Sequence, residues 1–211
     1  MAIKNIIFDL GGVILDIDAE KTQQAFEALG IDIWQVATAD FWKRLNAIGN
    51  YSLTQFSDLI RQETQKEVSD EEVEQAWTAL LCDFDEQRMN FLTELSKTYQ
   101  LYLFSNTDEI HTKAFENKCL TQFDRELSSY FTQVFYSQRL GLRKPDVRAF
   151  EKVLLLSKLT AEETLFVDDK GENCAAARSV GLHAFQLQAP ELLTDLPAIL
   201  VKFDEIESVK K

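Results

Sequence analysis

Asp9 stands at the end of an apolar run, Ile6-Ile7-Phe8, and is followed by Leu10, Gly11 and Gly12. A carboxylate placed beside apolar neighbours is costly unless it is paired, hydrogen-bonded or bound to a cation. By itself Asp-x-Gly-Gly is an ordinary turn, so the case rests on three further stretches. Asp168-Asp169 closes the run Leu165-Phe166-Val167. Two adjacent carboxylates repel unless a cation joins them or they cap a following helix. Ser105-Asn106-Thr107 closes Leu101-Tyr102-Leu103-Phe104. Lys144 directly precedes Pro145, and proline favours the first turn of a helix. That spacing predicts a helix over Pro145 to Ser157 with Lys144 at or near its N-cap. A cation there opposes the helix dipole unless an anion bridges the two. Hard carboxylate oxygens select Mg2+, which keeps several waters and takes phosphate oxygens besides one or two carboxylates.

These residues need elements that bring them together. Ile3 to Phe8, Leu101 to Phe104, Val134 to Tyr136, Leu165 to Val167 and Ala184 to Leu187 read as short buried strands. Helical patterns alternate with the later ones: Met89 to Lys97, a mostly helical stretch up to Tyr130, Pro145 to Ser157, and Ala175 to Val180 ending at Gly181. Alternation of this kind predicts an α/β fold with a doubly wound parallel sheet. The strand tips carrying Asp9, Ser105-Asn106 and Asp168-Asp169 then share one edge, where ligands bind in open sheets.

Between Ala19 and Gln87 there is almost no strand signal and no proline. Apolar stripes through Phe26 and Leu29, through Phe41, Trp42, Leu45 and Ile48, and through Leu53, Phe56, Leu59 and Ile60 each have helical spacing. Ser69 with Glu72 predicts a capping box that opens a fourth helix carrying Val73, Trp77, Leu80 and Leu81, and Thr160 with Glu163 predicts another box. The division expected is a core of residues 1–17 and 88–211 and a helical insert of residues 18–87. Trp77 and its stripe read as packing. Gly49 to Ser52 lies between insert helices and is a candidate specificity loop by position. Leu192 to Phe203 reads as one short helix, followed by a loose charged tail.

With 22 basic and 35 acidic residues among 211, the formal net charge is -13. This argues against a nucleic-acid partner and against attraction to an anionic membrane. An acidic protein that binds phosphate must overcome its own field locally, with a metal ion or a few placed cations. Cys82, Cys119 and Cys174 are too widely spaced for a zinc site and fit a reducing compartment. With no secretory signal and no apolar run approaching ~20 residues, the expected location is the cytoplasm.

Asp9-x-Gly-Gly-Val, Ser105-Asn106-Thr107, Arg143-Lys144-Pro145-Asp146 and Phe166-Val167-Asp168-Asp169 with Asn173 resemble, in order, the four motifs of the haloacid dehalogenase superfamily. The insert matches the position of that family's smaller, C1-type cap domain. The resemblance implies a Mg2+-dependent phosphatase acting on a small phosphorylated metabolite. It makes Asp9 the nucleophile, and Asp9, Asp169 and the Gly11 carbonyl the metal ligands. Asp168 and Asn173 then support the site, Ser105 and Asn106 hold phosphate oxygens, and Lys144 neutralises charge on Asp9 and the phosphoryl group. One position departs: most family phosphatases carry a second Asp, the general acid, where this chain has Gly11. Asp16-Ile17-Asp18, Ser105-Asn106-Thr107 and His111 resemble a bacterial subgroup that includes alpha-D-glucose-1-phosphate phosphatases, which also have Gly there. This implies a sugar phosphate, with His111 as a possible proton carrier or else a helix-capping histidine. The alternatives are a pseudo-phosphatase that binds a ligand with little turnover, and a metal-independent dehalogenase, against which Asp168-Asp169 argues.

Overall fold

The chain runs through β1 (Asn5–Phe8), β2 (Leu15–Ile17), α1 (Ala19–Ala28), α2 (Ile33–Val36), α3 (Ala39–Ile48), α4 (Leu53–Thr64), α5 (Asp70–Thr78), β3 (Leu81–Phe84) and α6 (Glu86–Leu95). It continues through β4 (Gln100–Ser105), α7 (Glu109–Phe123), β5 (Gln133–Tyr136), α8 (Ser137–Leu140), α9 (Val147–Ser157), β6 (Thr164–Asp168), α10 (Gly171–Ser179) and β7 (His183–Gln186). The structure, a computed structural model, describes residues 2–48, 50–188 and 193–198. Gly49, half of the stretch 192–203 and the charged tail therefore lie outside the described residues.

A parallel sheet in the order β5-β4-β1-β6-β7 forms the centre. Its middle strand is apolar on both faces because both are covered. Ile6 and Phe8 face Met89 and Leu92 of α6 and Phe115 of α7, while Ile7 faces the side of Phe150 on α9 and Ala177 on α10. Phe150 sits edge-on to Phe104 and Phe166, with centroids 5.6 and 5.2 Å away. Phe8 pairs in register with Leu103 and with Val167. The next residue of each chain segment therefore emerges at one edge, and the Asp9 N–H donates to the Val167 carbonyl at 2.8 Å.

Helices α1 to α5 gather around a separate apolar cluster that includes Phe26, Phe41, Phe56, Ile60, Val73 and Trp77, joined from the other side by Ile110 on α7. The Ser69–Glu72 capping box forms, with both reciprocal hydrogen bonds present, and Ser52 with Gln55 makes a second.

Three local expectations are corrected. The stretch read as having almost no strand signal contains β3, which begins at Leu81, read as helical, and pairs antiparallel with β2. Neither strand is long enough to show a period of its own, and each exists through the other. Thr160 makes no side-chain cap, because Glu163 is bonded to Lys4 across the sheet edge and the segment is a short 3-10 turn. Helix α9 begins at Val147 rather than Pro145, with Asp146 as N-cap and Lys144 two residues before it.

Candidate active site

The described residues bring the four polar stretches to one edge of the sheet. Lys144 Nζ lies 2.7 Å from Asp9 Oδ1 and 2.7 Å from Asp168 Oδ2, with its side chain almost wholly buried. Its ammonium also sits 5.2 and 5.3 Å from the ring centroids of Phe104 and Phe166. A buried lysine survives because two carboxylates face it. What aims it there is Asn106, whose amide donates to the Lys144 carbonyl at 2.7 Å and accepts from the Lys144 N–H at 2.9 Å. Both ends of the Asn106 amide are thus engaged with backbone. Asn106 and Ser105 beside it both line the cleft.

The two adjacent carboxylates have different surroundings. Asp168 accepts from Lys144, from the Lys170 N–H at 2.8 Å and from the Asn173 amide at 2.9 and 3.0 Å, so both its oxygens are held. Asp169 Oδ1 is buried and has no hydrogen-bond partner among the described residues. One carboxylate oxygen from each of Asp9, Asp168 and Asp169 falls within 4.8 Å of the others. Burial pushes the Asp9 carboxyl up to about 6, with Lys144 pulling it down and Asp168 pushing it further up. Burial, then Asp168, also raises Asp169. A partnerless buried oxygen and two carboxyls pushed towards neutrality are what a divalent cation would relieve. An oxygen-only donor set of this kind suits Mg2+.

The glycines differ in what they permit. Gly12 has φ +77, and a Cβ there would stand 2.9 Å from Asp169 Oδ2. Gly12→Ala is expected to move Asp169 and to lower phosphate release by about 10²-fold, the scale of a ~1 Å misplacement at a reacting centre. Steady-state rates together with Mg2+ titration of the variant check this. Gly11 is not in the left-handed region, and a Cβ there would meet the Ile17 side chain at 3.4 Å. The place of the usual second Asp is thus bordered by an aliphatic side chain.

A cleft of about 290 Å³ opens from Asp9 towards the helical insert. Trp42, Tyr51 and Trp77 line its insert side, and Thr107, Arg143 and Lys170 its core side. Trp34 is 49% exposed and does not line it, and Arg44 pairs with Asp40 and Glu63. Tyr51 is therefore the residue that the described part of the 49–52 loop brings to the site. Trp77, read from its stripe as packing, does both.

His111 is tied at both ring nitrogens: Nδ1 is 2.7 Å from Asp108 Oδ2 and Nε2 is 2.9 Å from the Trp77 carbonyl. Asp108 is the residue that the sequence reading missed. It is the N-cap of α7, and its spacing of three before His111 was the available signal. A larger depression of about 500 Å³, at the opposite edge of the sheet, has no paired carboxylates; its Lys4 is bound to Glu163.

Residues 3–181 match the haloacid dehalogenase-like hydrolases. The chain is 32% identical over 198 residues to a D-ribitol-5-phosphate phosphatase from Bacteroides thetaiotaomicron, covering 87% of this chain and 91% of that protein. A haloacid dehalogenase (HAD) family enzyme of the same organism, solved in complex with magnesium and inorganic phosphate, superposes with TM-score 0.83 at 29% identity, over 90% of this chain and 96% of the other. A HAD-like family hydrolase from Porphyromonas gingivalis does so with TM-score 0.83 at 29% identity, over 96% and 98%. A 2-haloacid dehalogenase from Pseudomonas syringae, at 19% identity and TM-score 0.60 over 95% of this chain and 99% of the other, shares the fold alone.

Proposed function

The chain belongs to the haloacid dehalogenase-like hydrolases and hydrolyses phosphate monoesters with Mg2+ as cofactor, and from that premise we propose that its substrate is a phosphorylated sugar or sugar alcohol, cleaved through an aspartyl-phosphate on Asp9. The observation that carries this is Lys144 clamped between Asp9 and Asp168 beside the unpartnered oxygen of Asp169.

In this reading an Asp9 oxygen forms the bond to phosphorus as the bond to the ester oxygen breaks; water then attacks the acyl phosphate and frees Asp9. Lys144 offsets the charge gathered on Asp9 and the phosphoryl oxygens, and the Ser105 hydroxyl orients them. Asp9, Asp169 and the Gly11 carbonyl would hold Mg2+, which supplies charge neutralisation at the phosphoryl group. Asp168 and Asn173 keep Lys144 in place. The aromatic faces of Trp42, Tyr51 and Trp77 suit the C–H faces of a sugar or polyol, and the cleft has room for a small metabolite. No helix of the described residues is long and apolar enough to cross a membrane, and the three cysteines are free, which supports a place in the cytoplasm.

The test is phosphate release from a panel that includes D-ribitol-5-phosphate, glucose-1-phosphate and simple alkyl phosphates, with and without Mg2+. Turnover confined to sugar and polyol esters is expected. Tight ligand binding with no turnover of any ester would favour the binding-module reading. Gly11 sharpens the choice among substrates. No carboxyl stands there to protonate the leaving oxygen, which favours esters with an acidic leaving group. Gly11→Asp is expected to speed alkyl phosphates by up to ~10²-fold while changing an anomeric phosphate little. Equal effects on both would show that proton delivery at this position is not limiting.

Metal binding should report on Asp9 directly. Its carboxyl is raised to about 6 in the metal-free protein, so below that pH a cation must displace a proton. Magnesium affinity is expected to be level above about pH 7 and to fall by roughly tenfold for each pH unit below about 6. Calorimetric titration at several pH values reads this, and a flat dependence would remove Asp9 from the ligand set.

A further inference from the structure

Arg143 differs from the other arginines in what surrounds it. Eight arginines occur in the chain. Five pair with carboxylates, and two donate to hydroxyl or carbonyl oxygens. Among the described residues the Arg143 guanidinium makes no hydrogen bond and no ion pair, although the chain carries 35 acidic side chains. It is exposed and lines the cleft that opens from Asp9. Its backbone is fixed: the Arg143 carbonyl accepts from the Asp146 N–H at 3.0 Å, and Asn106 holds the residue that follows. Burial and the Asp108 charge raise the Tyr51 hydroxyl, and Arg143 opposes them, so the guanidinium acts at the Tyr51 wall of the cleft. At the other end Asp9 responds to burial, Lys144 and Asp168. The Asp108 carboxylate is engaged elsewhere: Oδ1 accepts from the His111 N–H at 2.8 Å and Oδ2 from the Trp77 indole N–H at 3.1 Å.

The cleft has two kinds of wall. Ile17, half exposed, lines it with Trp42 and Trp77 and offers carbon surface. Arg143 and Lys170 line the core side. Lys170 is the N-cap of α10 and makes no side-chain cap; a cation there opposes the helix dipole, so capping does not explain it. A ligand that fills the cleft takes the Arg143 guanidinium out of water. That is costly unless the ligand brings an anion to it. The planar fork of a guanidinium matches the paired oxygens of a carboxylate or a phosphate. In the phosphatase reading the transferred phosphoryl group sits at Asp9 and is met by Lys144. The anion for Arg143 then comes from the leaving group.

We propose that Arg143 is a specificity-determining residue that holds a second acidic group on the leaving group, a carboxylate or a second phosphate, so that among phosphorylated sugars the acidic ones are preferred. The inference rests on the phosphatase reading and narrows its substrate class. The carbon face of such a leaving group lies against Ile17, Trp42 and Trp77, and its anionic edge against Arg143, with Lys170 adding to the same field. Arg143 takes no part in bond making at phosphorus. It acts on which ester is bound and how its leaving oxygen is aimed.

Three esters test this: 6-phosphogluconate, glucose-1,6-bisphosphate and, as the match without a second acid, glucose-6-phosphate. Wild-type kcat/KM should favour at least one acidic ester over glucose-6-phosphate by about 10–10²-fold, the scale of charge-assisted hydrogen bonds. The acid that is favoured identifies whether carboxylate or phosphate is held. Arg143→Gln should erase that preference, and Arg143→Lys, which keeps the charge but not the fork, should restore part of it. An equal loss on all three esters would show that the guanidinium serves the transferred phosphoryl group, and would overturn the proposal. So would a wild type with no preference for either acid. A second measurement needs no turnover. Calorimetric titration of the Asp9→Asn protein should show the favoured acidic ester bound about tenfold or more tightly than glucose-6-phosphate, and the Asp9→Asn/Arg143→Gln protein should lose the difference. If no ester is turned over but that difference appears and is lost with Arg143, the phosphatase reading fails and the assignment of Arg143 stands. If esters are turned over without any acid preference, the assignment fails and the phosphatase reading stands.

Discussion

Asp9→Asn is expected to abolish phosphate release, by on the order of 10⁴-fold or more, while leaving the fold at least as stable as before. The activity follows from chemistry: an amide oxygen is too weak a nucleophile to form the phosphoryl bond. The stability follows from the electrostatics of the site. In the metal-free protein burial holds the Asp9 carboxyl at about 6, above its usual 3.8. A carboxyl raised on folding contributes stability below its unfolded value and loses it as pH rises through the folded one. At neutral pH the ionised group is therefore a burden on the metal-free fold, and a neutral isostere removes it. Lys144 keeps its bond to Asp168 in the variant. Thermal unfolding in a chelator, beside phosphate release with Mg2+, separates the two effects. Residual turnover near wild type would sink the aspartyl-phosphate route. A large loss of Tm would show that the Asp9–Lys144 contact supports the fold more than the burial of Asp9 opposes it.

Lys144→Met should fail in the other way, losing activity and stability together. Removing the ammonium leaves Asp168, wholly buried, with only the Asn173 amide and the Lys170 N–H, and leaves Asp9 facing it. Breaking a buried pair from one side typically costs about 3–5 kcal/mol, because the remaining charge is uncompensated. The deficit should be largest at neutral pH and shrink as pH falls through about 6 and below, where the carboxyls take up protons. Loss of the phosphate-facing cation should cost a further 10²–10³-fold in kcat, roughly the worth of one well-placed electrostatic group. Denaturant unfolding at two pH values checks the first part and kinetics in excess Mg2+ the second. A stability loss independent of pH would mean that packing against Phe104 and Phe166, rather than charge, is what Lys144 provides. Added Mg2+ should recover part of the stability by joining the carboxylates that Lys144 separates.

Much of this site was legible in the residues alone. The apolar runs ending in Asp9, Ser105 and Asp168 specify strands with polar tips, and strands alternating with helices specify a parallel sheet that aligns the tips. Period and termination are local properties, carried by the side chains of each segment. The same holds for the Ser69–Glu72 cap, which needs only its own four residues. Where two segments had to meet, the sequence was silent. Strands β2 and β3 are too short to announce themselves and exist as a pair. Nothing near Asn106 in sequence shows that its amide engages the backbone of Lys144, 38 residues away. Residue type alone does not tell Asp168 from Asp169, although the family resemblance gives them different roles. Only the packing around them gives one a full set of partners and leaves the other an open oxygen. His111 changes most, from a lone helical histidine to a ring held between Asp108 and Trp77, because its second partner comes from a helix 34 residues distant. The residue types thus determined which chemistry was available, since polarity and charge belong to each side chain. Tertiary structure decided which group is free to perform it, since a hydrogen bond made elsewhere in the fold removes a group from the reaction.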